Sequence, residues 1–273
     1  MSTPSEGIAV DREQIVAGLR RLGLSAGMRV MVHSSLKSFG LVVGGPAAVI
    51  EALMEVLTPA GTLMMPSFNH GRAYQEGGPG YFDPLTTPTI NGAIPDAFWR
   101  MEGVRYTRFH HRTLTCGPDS PLGLLWRDGG YGLLLGVGYR ANTFHHVVEM
   151  TLGAPCLGRR TESYPMLIEG RMVEGRTWSW RQRGCPITDQ RRYGPLMERR
   201  GAHRRATIGA CEATLFKLDD CFKVVAELLR GGVDGFPPCS RCTIRPRRTE
   251  RTVPSDWDDE HQCLRADSPA WGY

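Results

Sequence analysis

The run Asn142-Thr-Phe-His-His-Val-Val-Glu149 brings two imidazoles and a carboxylate together in a short stretch of chain. If a helix begins near Thr143, residues three apart share a face, so Glu149 can hold the His146 ring and stabilise its protonated form. The side chain of His145 leaves such a helix about 100° away, so only one of the two histidines faces a site. This is the pattern of a general base with an orienting carboxylate. A His-x-x-Glu pair also serves as a surface ion pair or as half of a metal site, and spacing alone leaves those readings open.

A second constellation, His33-Ser34-Ser35-Leu36, follows the apolar run Arg29-Val-Met-Val32 and leads into the glycine-bearing loop Gly40–Gly45. At the carboxyl end of a buried parallel strand, backbone N–H groups and hydroxyls point into the crevice where α/β proteins bind ligands. The start of the next helix adds partial positive charge, and glycines permit close backbone approach, so phosphates of a coenzyme fit there. The alternative is an ordinary tight turn between strand and helix.

Three further signals compete. Gly136-Val-Gly138-Tyr-Arg-Ala141 matches a dinucleotide fingerprint and so allows a nicotinamide-dependent oxidoreductase, although the stretch from Gly153 onward does not read as the second strand such a unit needs. Cys116, close in sequence to His110 and His111, could act as a nucleophile in a ping-pong group transfer. Cys239, Cys242, His261 and Cys263 are four candidate ligands for a structural zinc in the tail.

The elements that must position these groups read as an α/β fold, with a mixed or mostly parallel sheet flanked by helices and a small C-terminal subdomain. Asp11-Arg-Glu-Gln14 predicts a capping box before a helix carrying Ile15, Val16, Leu19 and Leu22. A strand over 29–32, a helix opening at Pro46, and a strand at Thr62–Met65 complete one strand-loop-helix-strand unit. Ser67 to Pro95 reads as a long loop, and Leu133–Leu135 as a third strand leading to a helix near 143–150. Leu215, Leu218, Phe222, Val225, Leu228 and Leu229 form one helical stripe. The chain divides into an α/β domain over 1–232 and an irregular Cys- and Arg-rich tail over 233–273.

Composition excludes several classes. No run of about 18 apolar residues occurs, and the first residues lack a signal-peptide layout, so a cytoplasmic protein with no membrane partner is expected. Eight scattered cysteines in 273 residues argue for reduced thiols. Residues 1–100 carry 7 basic and 8 acidic side chains, whereas 101–273 carry 26 and 20. The Arg doublets lack interleaved aromatics and read as a solvated face, so no nucleic-acid partner is expected, while a basic surface suits a phosphate-bearing ligand.

Taken in order, Val32-His-Ser-Ser-Leu36 with Gly44-Gly45, Gly61-Thr-Leu-Met-Met-Pro66, Leu133-Leu-Leu-Gly-Val137, Asn142–Glu149, and Arg192-Tyr-Gly-Pro-Leu-Met-Glu-Arg-Arg-Gly201 resemble the aminoglycoside 3-N-acetyltransferase family. The resemblance implies direct transfer of acetyl from acetyl-CoA to the 3-amino group of a 2-deoxystreptamine antibiotic, an antibiotic-resistance activity, or to another primary amine. The family's His-x-x-Glu falls on His146 and Glu149, and its coenzyme-holding segment on Ser34, Ser35 and Leu36; His33 and Gly44, from the same strand end and loop, join them as candidate coenzyme contacts. A cationic acceptor calls for acidic contacts, for which Glu76, Asp83 and Glu162 are candidates. A homodimer is one assembly the reading allows. One departure stands out: from Arg105 the chain runs almost at once into Gly117-Pro-Asp-Ser-Pro121, a shorter passage than the family's.

Overall fold

The computed structural model describes residues 9–67, 79–83, 85–105, 116–152, 161–178, 193–230, 257–258 and 263–264, with the backbone only for 161–164, 175–178 and the last two pairs. Helix α1 (Arg12–Leu22) starts on the expected capping box: Asp11 accepts the Gln14 amide at 2.8 Å and Gln14 accepts the Asp11 amide at 3.0 Å. Gly23, with φ of 98°, closes it in the left-handed conformation. Helix α2 (Gly45–Leu57) carries Pro46 in its first turn, where the missing N–H removes no helical hydrogen bond.

Strands β2 (Arg29–Ser34), β4 (Thr62–Met64), β5 (Tyr131–Leu135), β8 (His203–Ile208) and β9 (Cys211–Lys217) form one sheet in the order β4-β2-β5-β9-β8. The first three run parallel, and β9 runs antiparallel to both of its neighbours, β5 and β8. Strands β1 (Ala9–Val10) and β3 (Leu41–Val42) make a short parallel pair at the margin.

Because helices cover both faces, the central strands β2 and β5 carry apolar residues on both sides rather than alternating. Val30, Val32, Leu133 and Leu135 join α1 and α2 in one core. Met31 and Leu134 join the other, built with α4 (Pro121–Arg127), α5 (Phe144–Thr151), α6 (Tyr193–Arg199) and α7 (Leu218–Leu229). Trp126 of α4 stacks on Phe222 of α7 at 4.3 Å and meets the Phe144 ring of α5 at 6.1 Å, joining the three helices in one aromatic contact.

The stripe from Leu215 to Leu229 divides between two elements. Leu215 belongs to β9, and the helix begins at Leu218. Burial on both sides of β9 supplies apolar residues at spacings that mimic a helical face. The stretch read as a loop up to Pro95 already contains the start of α3 (Ala93–Trp99). The hairpin β6 (Thr161–Ile168) and β7 (Arg171–Trp178) turns on Glu169 and Gly170, both at positive φ, as a two-residue hairpin turn requires. Phe82 docks on it through hydrogen bonds to Pro165 at 2.9 Å and from Leu167 at 2.8 Å. In the tail, β10 (Trp257–Asp258) and β11 (Cys263–Leu264) pair antiparallel. No helix among the described residues is long and apolar enough to cross a membrane.

Candidate active site

Helix α5 follows β5 across a short connection that carries the 3-10 turn Tyr139–Ala141, so its first turn stands near the carboxyl end of the parallel strands. Val147 and Val148 lie in the second core, which fixes the face that the helix turns inward. His146 Nδ1 lies 2.8 Å from Glu149 Oε2, with the His146 side chain 14% exposed and that of Glu149 fully buried. An ionised carboxylate only accepts, so Nδ1 carries the ring proton and Nε2 offers the lone pair. A buried carboxylate needs a charge or hydrogen-bond partner, and this pairing stabilises both the neutral donor and the imidazolium.

His145 is buried and its Nδ1 contacts the Asn142 carbonyl, while its ring centroid is 3.8 Å from that of His146. Donor atoms of His145, His146 and Glu149 lie within 4.8 Å of one another. The 2.8 Å His146–Glu149 contact is that of a hydrogen bond, shorter than the ~3.3 Å separating neighbouring ligands of a tetrahedral ion.

The predicted coenzyme segment divides by role. Ser34 Oγ is buried without a hydrogen-bond partner among the described residues, an orphaned hydroxyl that calls for a polar guest. Gly44 (φ 86°) precedes α2 without a side-chain cap, leaving first-turn N–H groups for an outside acceptor, and a Cβ at Gly45 would meet open space. The Ser35 amide instead donates to the Leu135 carbonyl at 2.9 Å, and Leu36 packs against the first core.

His33 is engaged within the fold. It is buried, and its Nε2 is taken by Thr143, with Oγ1 at 3.0 Å and the amide at 3.2 Å. The ring therefore holds the start of α5, and burial lowers its pKa to about 4.

Cys116 does not suit a nucleophile. Burial, reinforced by the charge of Glu149, pushes its thiol up to about 12, so the thiolate is scarce. His110 and His111 lie outside the described residues. The Gly136–Ala141 run does not open a helix as a dinucleotide turn would: Tyr139–Ala141 form a 3-10 turn, and α5 begins at Phe144.

Among the candidate acceptor contacts, Glu76 lies outside the described residues and Glu162 is placed by backbone alone on β6. Asp83 is committed to its own turn, accepting from the Leu85 amide and the Thr86 hydroxyl, both at 2.8 Å. Cys239, Cys242 and His261 are outside the described residues, and Cys263 is placed by backbone only. A cavity of about 730 Å³ beside β4 is walled by Met64, Phe82, Phe98, Cys116 and Met166; neither His146 nor Glu149 lines it.

Asn142 and Thr143 had no assigned role in the sequence reading. Asn142 Oδ1 accepts the Phe144 amide at 3.2 Å and so caps α5. An Asn immediately before a helix start is the available signal. Nothing local marks Thr143, whose partner is 110 residues away.

A family model described as aminoglycoside 3-N-acetyltransferase matches residues 31–108 and 105–230. The two pieces meet where the chain runs short before Gly117. Aminoglycoside N(3)-acetyltransferase IV from Salmonella sp is 32% identical over 163 residues, covering 53% of this chain and 60% of that protein. The YokD protein of Bacillus subtilis (strain 168), an aminoglycoside N(3')-acetyltransferase-like protein, is 30% identical over 59% of this chain and 72% of its own. Aminoglycoside N(3)-acetyltransferase VII of Streptomyces paromomycinus is 29% identical over 77% and 88%. The YokD crystal structure superposes with a TM-score of 0.65 at 26% identity, covering 78% of this chain and 91% of that one. AAC-IIIb, solved as a binary with CoASH, shares the fold at a TM-score of 0.69 and 21% identity, over 80% of this chain and 95% of that one. With the His-x-x-Glu helix, the strand-end serines and the sheet order in the same chain, these matches lead to one conclusion: the chain belongs to the aminoglycoside 3-N-acetyltransferase family.

Proposed function

We propose that the protein transfers acetyl from acetyl-CoA to the 3-amino group of a 2-deoxystreptamine aminoglycoside, directly and without an acetyl-enzyme, with His146 as general base. The observation that carries this reading is the His146–Glu149 pair, buried on the carboxylate side and partly open on the imidazole side, in a chain of this family. An ammonium has no lone pair with which to attack a thioester, so the acceptor amine must lose a proton. His146 Nε2 takes it while Nδ1–H stays on Glu149, whose charge stabilises the imidazolium.

Ser34 Oγ and the N-terminal turn of α2 after Gly44 are the groups suited to hold coenzyme A, which supplies the activated acetyl group. The burial of Cys116 favours direct transfer over a ping-pong route.

The test is thiol release from acetyl-CoA across a panel of 2-deoxystreptamine aminoglycosides and simple primary amines, with the acetylated nitrogen located by NMR. Release with aminoglycosides and a 3-N-acetyl product is expected. Release with simple amines alone would move the substrate class, and none with any amine would remove the activity.

A further inference from the structure

We propose that His33 is a positioning residue for the His146–Glu149 pair, acting through Thr143, the residue from which α5 starts. The inference rests on the functional reading above, which makes His146 the base.

His33 stands on β2 and Thr143 at the head of α5, so the contact between them is purely tertiary. An amide N–H only donates, so the 3.2 Å contact from the Thr143 amide makes His33 Nε2 an acceptor and places its ring proton on Nδ1. The Thr143 hydroxyl converges on the same nitrogen at 3.0 Å. A threonine at this position ordinarily turns its hydroxyl back to an amide of its own helix. Here it makes no cap bond, and Asn142 caps Phe144 instead. The Thr143 carbonyl meanwhile accepts the His146 amide at 3.1 Å. One residue therefore faces His33 with its amide and hydroxyl and His146 with its carbonyl.

Successive side chains on a strand point to opposite faces. Met31 belongs to the core on the α5 side and Val30 and Val32 to the other, so His33 turns toward α5 and Ser34 away from it. Two adjacent residues thus tie the base-bearing helix to the strand end that offers Ser34 Oγ. The neutral ring demanded by the geometry agrees with burial, which lowers the His33 pKa to about 4 and keeps the tie intact across the working pH range. His33 touches neither reacting group; it fixes where the helix carrying Nε2 begins relative to the sheet.

The experiment compares His33→Leu, which removes the acceptor, with His33→Gln, whose side-chain oxygen reaches about where Nε2 stood, and with Thr143→Val. Each is measured for kcat, for KM toward acetyl-CoA, and for the NMR titration of the His146 ring, which requires no activity. In His33→Leu we expect kcat lower by roughly 10- to 100-fold, KM within about threefold, and a displaced His146 titration. His33→Gln should recover most of the kcat loss, and Thr143→Val should show a smaller loss of the same kind. A folded His33→Leu with unchanged kcat and unmoved His146 titration would overturn the proposal. So would a raised KM at unchanged kcat, which would return His33 to the coenzyme. If His33→Leu does not fold, Thr143→Val decides by the same readouts. If the wild type acetylates none of the amines tested, the NMR arm still decides the coupling, separately from the functional reading.

Discussion

Acidifying the protein from pH 7.5 to pH 5 should expose the energetic weight of the buried His33 ring. In the unfolded chain the imidazole titrates near its ordinary 6.5, and in the fold at about 4, so the folded state resists the proton. A group with a depressed folded pKa contributes stability that is fully present above its unfolded value and is lost as pH falls toward the folded one. The window is therefore pH 6.5 down to 4. The gap of about 2.5 units corresponds to about 3 kcal/mol over the whole window, of which about 2 kcal/mol is lost by pH 5. Urea unfolding midpoints at both pH values, for the wild type and for His33→Gln, separate this group from every other titration by subtraction. The wild type should lose about 2 kcal/mol more than the variant between the two conditions. Equal losses would show that His33 is not buried as a neutral acceptor, and the tie to Thr143 would fall with it.

Other consequences can be measured directly. Glu149→Gln should lower turnover less than His146→Ala does, because the amide keeps a hydrogen bond to Nδ1 but loses the charge that stabilises imidazolium; equal losses under pre-steady-state conditions would contradict this division. Cys116→Ala should leave turnover per folded molecule within about threefold, with no acetylated protein trapped by mass spectrometry, since the thiol is held near 12. Gly132→Ala should destabilise by about 1–3 kcal/mol in chemical denaturation, because the new Cβ would meet the Phe216 ring at 2.2 Å in a closed core. Asp11→Ala removes one arm of the α1 capping box and should lower stability by about 1 kcal/mol, read from the same unfolding curves.

What the sequence made legible was local. The capping box at Asp11–Gln14, Pro46 at the head of α2, and the register of His146 with Glu149 all depend on residues a few positions apart, and spacing on a helix decides them. The antiparallel β8 and β9 were hidden because Arg204 and Arg205 face solvent on one strand, while Leu215 next to the α7 stripe imitates a longer helix. The contact of His33 with Thr143 could not be read from the chain, because the two stand on elements 110 residues apart. Asp83 looked like a free carboxylate in a long loop, yet local amide and hydroxyl donors engage both its oxygens. Contacts set by tertiary packing leave no period in the chain, and these are the ones that escaped.

The claim on which the account stands is that His146, rather than its neighbour, takes the proton from the acceptor amine. The most direct measurement is turnover at saturating acetyl-CoA and aminoglycoside for His146→Ala beside His145→Ala and the wild type, with acetyl-CoA affinity measured separately. The account predicts a loss of ~10²–10⁴-fold in His146→Ala at nearly unchanged acetyl-CoA affinity, and a smaller loss in His145→Ala. Near-wild-type turnover in His146→Ala, with His145→Ala inactive, would contradict it and place the base on His145.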